Sequence, residues 1–341
     1  MGETNYKRTL FNLLKIGVSL GLIALILFRT DFKNLSAVLS SVEVKFLILA
    51  MGFMFLEMMS MTLRMFYLIR IKSMDVPFGA LLRFNMMGVF IGNFMPTKLG
   101  VDGLRTYYLA KYTNQTVDSI TSITLDRFIN IIVITFFAML SFIIGGYYRR
   151  FPALGLIIII MIAGIFLVFV LINQKLSRRL SDYLTSKQWS QKIVQFIHDL
   201  TASFKEFHHH PRQLFGIVFL GVIFQVNRII TTYFFARSVG INVDFAYFFL
   251  VIPMVIILGM LPFSVAGIGI TQYSTVQMFR LVGVEIESSL GFAMLIYFAR
   301  ILIALPGLYF FHKEGMDTLM ESISKIGGGF SRRKKKENEE V

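Results

Sequence analysis

Several charged residues of this chain lie inside stretches that are otherwise strongly apolar. Glu57 and Arg64 are seven positions apart, which places them on one face of a helix. Asp102 and Arg105 are three positions apart and can pair with each other. Ionisable groups are costly in an apolar environment and are therefore candidate functional residues. The chemistry that they indicate is ion pairing and the binding of a charged group.

Cations outnumber acids among these residues. The cations are Arg64, Lys98, Arg105, Arg127, Arg228 and Arg300, and the acids are Glu57, Asp102 and Asp126. An excess of buried cation predicts a bound anion, and arginine matches phosphate oxygens in a bidentate manner. The candidates for binding a phosphate or lipid headgroup are Lys98, Asp102, Arg105, Arg127 and Arg300. The candidates for charge balance or coupling are Glu57, Arg64, Asp126 and Arg228.

Some of these residues also have a structural explanation. Asp126 and Arg127 stand at the beginning of an apolar run, where a charge at the membrane interface costs little. Arg64 lies close enough to the end of its run to extend its charged head to the surface. Asp102 and Arg105 are equally compatible with a pair that only holds a loop closed. The sequence leaves these alternatives open.

The charges around residue 100 belong to a stretch that occurs twice. Residues 95–107 and 261–273 share Pro, Gly and Tyr at three corresponding positions, and each stretch follows an apolar run. Two apolar segments interrupted by Pro and Gly in corresponding halves are typical of a transporter-like site near the middle of a membrane. The residues that would form the two backbone breaks are Asn93, Pro96, Gly100, Gly103, Pro262, Gly267, Gly269 and Gln272.

The elements that position these residues are predicted to be membrane helices. The chain has 341 residues, of which 55% are hydrophobic, and several apolar runs reach the roughly 20 residues that span a bilayer. The absence of cysteine excludes disulfides and thiol catalysis. We expect the net charge of +14 to lie on cytoplasmic loops that face anionic lipid, so we predict no nucleic-acid partner.

The distribution of basic residues suggests how the apolar runs cross the membrane. Clear spans are expected at 10–28, 45–69, 127–147, 153–173, 212–237 and 288–311. The runs 78–95 and 244–261 end at the repeated prolines. The basic loop 174–211 and the basic tail both fall in the cytoplasm only if these two runs enter and leave on the same side. We therefore predict an all-α polytopic membrane protein with six spans, two re-entrant hairpins and an inverted-topology internal repeat.

One transmembrane domain is predicted over residues 1–323. Its repeat halves cover about 45–173 and 212–312, with a cytoplasmic amphipathic segment at 174–211 between them. Residues 324–341 are predicted to be a disordered, basic tail. Both termini are expected in the cytoplasm of a multi-pass cell-membrane protein. The run His208–His210 lacks acidic or Cys partners at ligand spacing, so we predict no metal, and the sequence indicates no cofactor.

The chain resembles the transmembrane region of the lysylphosphatidylglycerol synthase/flippase family over about residues 10–312. The resemblance rests on Asn93-Phe94-Met95-Pro96, on Gly100-x-Asp102-x-x-Arg105 and on Asp126-Arg127. It continues in the segment from Pro262 through Ala266-Gly267-Ile268-Gly269 to Gln272. The chain departs from the family at Val101, where relatives usually carry a second glycine.

The resemblance implies a lipid translocator without the cytosolic synthase domain of that family. The expected cargo is an anionic or aminoacylated phospholipid or a polyprenyl-phosphate-linked lipid. A membrane-lipid synthase or glycosyltransferase of the cell envelope is a possible partner. Two alternatives remain, namely an integral-membrane enzyme with Asp102 as the base, and a scaffold that acts through the basic loop and tail. No catalytic motif favours the enzyme.

Overall fold

A computed structural model describes residues 30–92, 99–172, 210–260 and 269–315, together with the single positions 21 and 28. Within these ranges the ordered elements are helices, and no strand occurs among them. The predicted span 10–28, the amphipathic segment 174–211 apart from its last two residues, and the tail 324–341 lie outside the described residues. So do the tips of both predicted hairpins, with Asn93, Pro96, Lys98, Pro262 and Gly267.

The first part of the chain forms helices α1 to α6. These are α1 (Phe32–Ser40), α2 (Val44–Ile71), α3 (Phe78–Gly92), α4 (Leu99–Thr113), α5 (Thr116–Ile144) and, after a helical turn at Tyr147–Arg150, α6 (Pro152–Ile172). The second part forms α7 (Pro211–Ser238), α8 (Phe245–Met260), α9 (Ile270–Arg280) and α10 (Ile286–Ala304). A helical segment Pro306–Phe310 and a wider helical turn Phe311–Gly315 extend α10.

Four of the described helices are long and apolar enough to cross a membrane. They are α2, α5, α7 and the extended segment Ile286–Lys313, each of 28 or 29 residues. At 1.5 Å per residue they are about 42 Å long, whereas the hydrocarbon core is about 30 Å thick. The chain is therefore a polytopic helical membrane protein, as the sequence predicts. Helix α6 coincides with the predicted span 153–173.

Helices α3 and α8 occupy the two predicted re-entrant runs and are shorter. Their described parts have 15 and 16 residues, or about 23 Å of helix, and end at the last described residue before residues 93–98 and 261–268. The next described element is in each case a second short helix, α4 or α9.

Helix α5 begins at Thr116, eleven residues before the expected membrane span 127–147. Its first turns are rich in Ser and Thr, which lowers their apparent hydrophobicity. However, these hydroxyls donate to backbone carbonyls one turn earlier, as Ser119 does to Gln115 O at 2.7 Å. An ion pair of 3.3 Å between the buried Lys72 and the partly exposed Asp118 also joins the start of α5 to the end of α2. Asp126 and Arg127 consequently lie well inside the helix.

Helices α2 and α7 form the central contact of the protein and run antiparallel. The amide of Glu43, just before α2, donates to Ser238 O at the end of α7 at 2.8 Å. Further along α2, Glu57 pairs with Arg228, and Arg64 lies against Gly221. Residues with rising numbers in α2 therefore contact residues with falling numbers in α7. Both helices have 28 residues.

The two parts of the chain share the order of their elements and the geometry of their turns. Among the described elements, a long helix, two short helices and a long helix follow one another in each. After α2, Ser73 has φ 53°, and after α7, Gly240 has φ 77°, with the same hydrogen-bond pattern around both. Likewise Asn114 after α4 and Gly283 after α9 have φ 56° and 81°. The only two non-glycine residues of positive φ in the described ranges thus correspond to glycines in the other half.

Candidate functional site

Five charged residues join helices α2, α4 and α5 in one chain of ion pairs, which we term the hairpin network (Arg64, Asp102, Arg105, Asp126 and Arg127). Arg64 Nε donates to Asp126 Oδ1 at 2.5 Å, and Arg105 Nη1 lies 3.7 Å from Asp126 Oδ2. Arg105 Nη1 also donates to Asp102 Oδ1 at 3.3 Å, while Asp102 Oδ2 accepts from Arg127. Each aspartate is thus shared by two arginines.

The hairpin network is closed at one end and open at the other. The side chains of Arg64, Asp126 and Arg105 are 2–5% exposed, whereas those of Asp102 and Arg127 are 23% and 27% exposed. The three arginines and two aspartates leave one positive charge in excess. The partly open end includes Asp102 in the first turn of α4 and is the part of the network where a ligand can reach a guanidinium.

Asn85 and Thr62 complete the hairpin network, although the sequence analysis did not single them out. Arg105 Nε donates to Asn85 Oδ1 at 2.6 Å, and Asn85 Nδ2 donates to Thr62 Oγ1 at 2.8 Å. Both residues are buried. The signal that could have identified Asn85 is an amide in the middle of an apolar run, since a buried amide needs partners.

Glycine allows α4 to approach α3 closely enough to bring Arg105 into the network. A Cβ at Gly88 would lie 2.9 Å from Arg105 Cγ, and a Cβ at Gly92 would lie 2.9 Å from Val101 Cα. Asp102 stands in the first turn of α4, where a carboxylate is also favoured by the helix dipole. The close contact of α3 with α4, which these glycines allow, brings Asp102 and Arg105 toward α5.

A second group of charges lies at the middle of the long helices, and we term it the mid-span cluster (Glu57, Arg228 and Arg300). Arg228 Nη2 lies 2.6 Å from Glu57 Oε1, and both side chains are partly buried. Arg300 is within electrostatic reach of both residues. It makes no hydrogen bond or ion pair within the part of the chain that the structure describes. The cluster carries one positive charge in excess.

Phe224 lies between the two groups of charges. The Arg64 guanidinium carbon is 5.0 Å from the centre of its ring, and that of Arg228 is 4.4 Å away. Both distances are typical of cation–π contacts. Phe224 is buried in α7, and nothing in the sequence distinguishes it from the other phenylalanines of this chain, of which there are 36 in all.

The structure groups the predicted site residues differently from the sequence analysis. Glu57 and Arg64 share a helix but belong to different groups, and Arg300 lies apart from Arg105 and Arg127. The surface alternative for Arg64 is wrong, because its side chain is buried against Asp126. The interface position of Asp126 stays a prediction. The alternative in which Asp102 and Arg105 pair describes their observed contact.

The predicted backbone residues of the hairpins are described only in part. Gly100 and Gly103 lie in the first turns of α4. Gly269 has φ 84°, and its amide donates to Gln272 Oε1 at 2.8 Å, so the two residues together cap the start of α9. The remaining residues of both tips fall outside the described ranges.

Several buried polar atoms have no partner among the described residues. They include Arg64 Nη1, Arg105 Nη2 and both amide atoms of Gln225. An unpaired polar atom in the interior destabilises the folded protein by about 1–3 kcal/mol. These atoms are therefore available to hydrogen-bond water or a ligand. Within the described ranges no group of three His, Cys, Asp or Glu residues is placed to hold a metal ion.

An apolar cavity of about 540 Å³ lies between the start of α3 and the segment Pro306–Phe310. Its lining includes Pro77, Ala80, Met86 and Phe310, with Arg83 among them. Such a lining suits hydrocarbon rather than a polar headgroup.

Long apolar helices that enclose ion-paired arginines define the class of this protein as a multi-pass membrane protein with a charged interior. The family model described as the lysylphosphatidylglycerol synthase TM region matches residues 12–307. The chain therefore belongs to that family. It is also similar to the UPF0104 membrane protein PH1989 of Pyrococcus horikoshii, with 24% identity over 307 residues, or 83% of this chain and 90% of the relative.

Proposed function

We propose that this protein is a lipid translocator that moves a phosphate-bearing lipid headgroup through a polar chamber between two helix breaks. The observation that carries the proposal is the hairpin network. It places one excess positive charge inside the membrane domain, beside the break between α3 and α4. Charges at that depth are expensive and are typical of substrate pathways. The family to which the chain belongs is named for a lipid synthase, which supports a role in membrane lipid metabolism.

We further propose that the two halves, about 45–173 and 212–312, form an inverted repeat. The matching element order, the matching positive-φ turns and the antiparallel packing of α2 against α7 support this arrangement. Inverted halves give a transporter two equivalent states, each open to one side, around a site near the middle of the membrane. The antiparallel contact of α3 with α4, in which Gly88 faces Arg105 and Gly92 faces Val101, supports a re-entrant hairpin in place of a complete crossing.

The proposed orientation follows from the basic residues. Both termini, the segment 174–211 and the tail 324–341 are placed in the cytoplasm, and residues 1–323 form a single domain of the cell membrane. Membrane lipids are the proposed partners, with an envelope-lipid synthase or glycosyltransferase as a possible supplier of the cargo.

The contacts of Asp102 favour transport over catalysis. Both of its oxygens accept from guanidinium groups, one from Arg105 and the other from Arg127. Little of the carboxylate is left to take a proton from a substrate, as a general base must. We therefore assign Asp102 to binding and charge balance rather than to chemistry on the lipid.

Leaflet exchange in liposomes tests the proposed function. Purified protein is reconstituted with labelled phosphatidylglycerol, aminoacylated phosphatidylglycerol or a polyprenyl phosphate, and the label in the outer leaflet is then destroyed chemically. The proposal predicts that protein-containing vesicles lose more than half of the label for at least one of these lipids. Loss limited to the outer leaflet for all three, as in empty vesicles, would overturn it.

A further inference from the structure

Arg300 is the charge of the mid-span cluster that the protein leaves uncompensated. Glu57 is already paired with Arg228 at 2.6 Å. Arg300 lies near both of them, its side chain is exposed, and it has no polar partner within the described ranges. It stands fifteenth in the 28-residue segment Ile286–Lys313, so neither end of the segment is within easy reach of its head group.

Arg300 lies on a different face of α10 from its exposed apolar residues. Phe298 and Leu302 are 59% and 60% exposed and share one face of α10. Arg300 is two residues from each and so points about 200° away from them. Its own face carries Ile296 and Ile303, which pack against the core. Arg300 therefore lies on the side of α10 that faces the rest of the protein, and its side chain is nevertheless exposed.

An exposed guanidinium without a protein partner among the described residues, on this side of a membrane helix, favours an anion. Water alone solvates it, but an oxyanion adds charge pairing and accepts from two N–H groups at once. The apolar cavity at Pro306–Phe310 begins six residues further along the same helix, or about 9 Å. A positive charge with an apolar cavity at that distance matches a lipid, which has a phosphate group and hydrocarbon chains.

We infer that Arg300, assisted by Arg228, binds the phosphate group of a ligand at a second station that is separate from the hairpin network. Glu57 lowers the positive potential of this station by pairing with Arg228. The inference rests on the proposed function, since two stations separated by Phe224 would let a headgroup pass from one to the other. In the hairpin network, by contrast, each of the three arginines is in contact with an aspartate.

Native mass spectrometry of protein in detergent measures the station directly, by counting phosphatidylglycerol molecules retained at graded lipid concentrations. Arg300→Gln should weaken retention by about tenfold, the loss of one charge-assisted contact of about 1.4 kcal/mol. Glu57→Gln should strengthen retention, because it leaves Arg228 unpaired. Arg300→Lys should retain part of the affinity. This opposition of sign separates binding from a loss of fold, which circular dichroism checks in each variant.

Arg280→Gln is the matched control, because Arg280 is also exposed but lies at the end of α9. It should retain lipid like the unchanged protein. Equal retention by Arg300→Gln, equal loss in Arg280→Gln, or weaker retention by Glu57→Gln would each overturn the inference.

Two further measurements show whether the phosphate belongs to a lipid or to a soluble molecule, and which of the two proposals a negative result contradicts. Inorganic phosphate and glycerol phosphate are tested as competitors, and a lipid station predicts that neither displaces phosphatidylglycerol at millimolar concentration. Displacement by either would assign the site to a soluble phosphate and overturn the lipid source. If leaflet exchange occurs but does not depend on Arg300, the proposed second site is contradicted and the proposed lipid translocation is not. If Arg300 binds lipid but leaflet exchange is absent, the proposed translocation is contradicted and the binding site is not.

Discussion

The aspartates of the hairpin network hold arginines that would otherwise be isolated inside the membrane domain. Asp126 is in contact with both Arg64 and Arg105, from helices α2 and α4. Asp102 joins Arg105 to Arg127. Because the signs alternate, removing Asp126 leaves Arg64 without an acidic partner and leaves Arg105 with Asp102 alone. Such a chain stabilises the protein weakly while complete, but its interruption is costly.

Asp126→Asn should therefore destabilise the protein by about 3–5 kcal/mol, the cost of interrupting a buried ion pair. Reversible titration with sodium dodecyl sulfate, followed by circular dichroism, measures the change. Adding Arg64→Met to the same chain should recover part of the loss, since Arg64 is the arginine left without an acidic partner.

Glu43→Gln provides a control with the same change of acid to amide. Glu43 pairs with Lys45 at 2.9 Å, but their side chains are 48% and 71% exposed. Exposed pairs contribute little, so the free energy of unfolding should change by no more than about 0.5 kcal/mol. A similar small change for Asp126→Asn would contradict the account of the network.

At the scale of residues, the sequence identified the charges but not their grouping. Each ionisable group in an apolar run was recognisable because its burial is expensive. Grouping depends on which helix faces which, and no local pattern specifies that α7 lies along α2. For this reason Arg300 was assigned to the hairpin site, and the bridging roles of Thr62, Asn85 and Phe224 were missed.

At the scale of elements, the close contact of α3 with α4 depends on two glycines. Gly88 and Gly92 are one turn apart, and each faces α4. Small residues at this spacing allow membrane helices to approach closely. The contact is also what brings Arg105 to Asp126, so packing and charge placement are coupled.

Gly92→Ala should force the two helices apart. The new Cβ would lie 2.3 Å from Val101 Cγ2 and 2.9 Å from Val101 Cα. Overpacking of this kind costs about 1–3 kcal/mol, measured by the same detergent titration. Val101→Ala in the same chain should restore only part of the stability, because the contact with Val101 Cα persists.

Gly79→Ala tests the same substitution in the same helix without the contact. A Cβ at Gly79 meets no atom within 4 Å. Alanine is the better helix former, so stability should be unchanged or should rise by up to about 1 kcal/mol. Equal effects of the two substitutions would show that the close approach of α3 and α4 does not matter.

Helix positions were easier to predict than helix ends. Apolar runs located α2, α6, α7 and α8 to within a few residues. The polar start of α5 was missed because its hydroxyls are satisfied within the helix. Helix α1 was missed because it is short and half-exposed, with a start set by Asp31, whose carboxylate accepts from Lys33 N at 2.9 Å.

At the scale of the whole molecule, the account depends on the relation between its two halves. Three identities in the repeated stretch were a weak sign of that relation. The corresponding turns at Ser73 and Gly240, and at Asn114 and Gly283, are stronger, because positive φ is uncommon outside glycine. Similar turns with dissimilar charges support two halves alike in backbone and different in chemistry. The first half carries the hairpin network, and the second contributes Arg228 and Arg300.

Cysteine accessibility in intact cells tests the opposed orientation of the hairpins most directly, and the chain contains no natural cysteine. Single cysteines are placed at Asn242 and Glu285, which flank α8 and α9, and at Asp75 and Gln115, which flank α3 and α4. All four positions are exposed. An impermeant maleimide should label positions 242 and 285 in intact cells, and positions 75 and 115 only after permeabilisation. Labelling of 242 and 285 from opposite sides would show that the hairpin crosses the membrane, and would contradict the account.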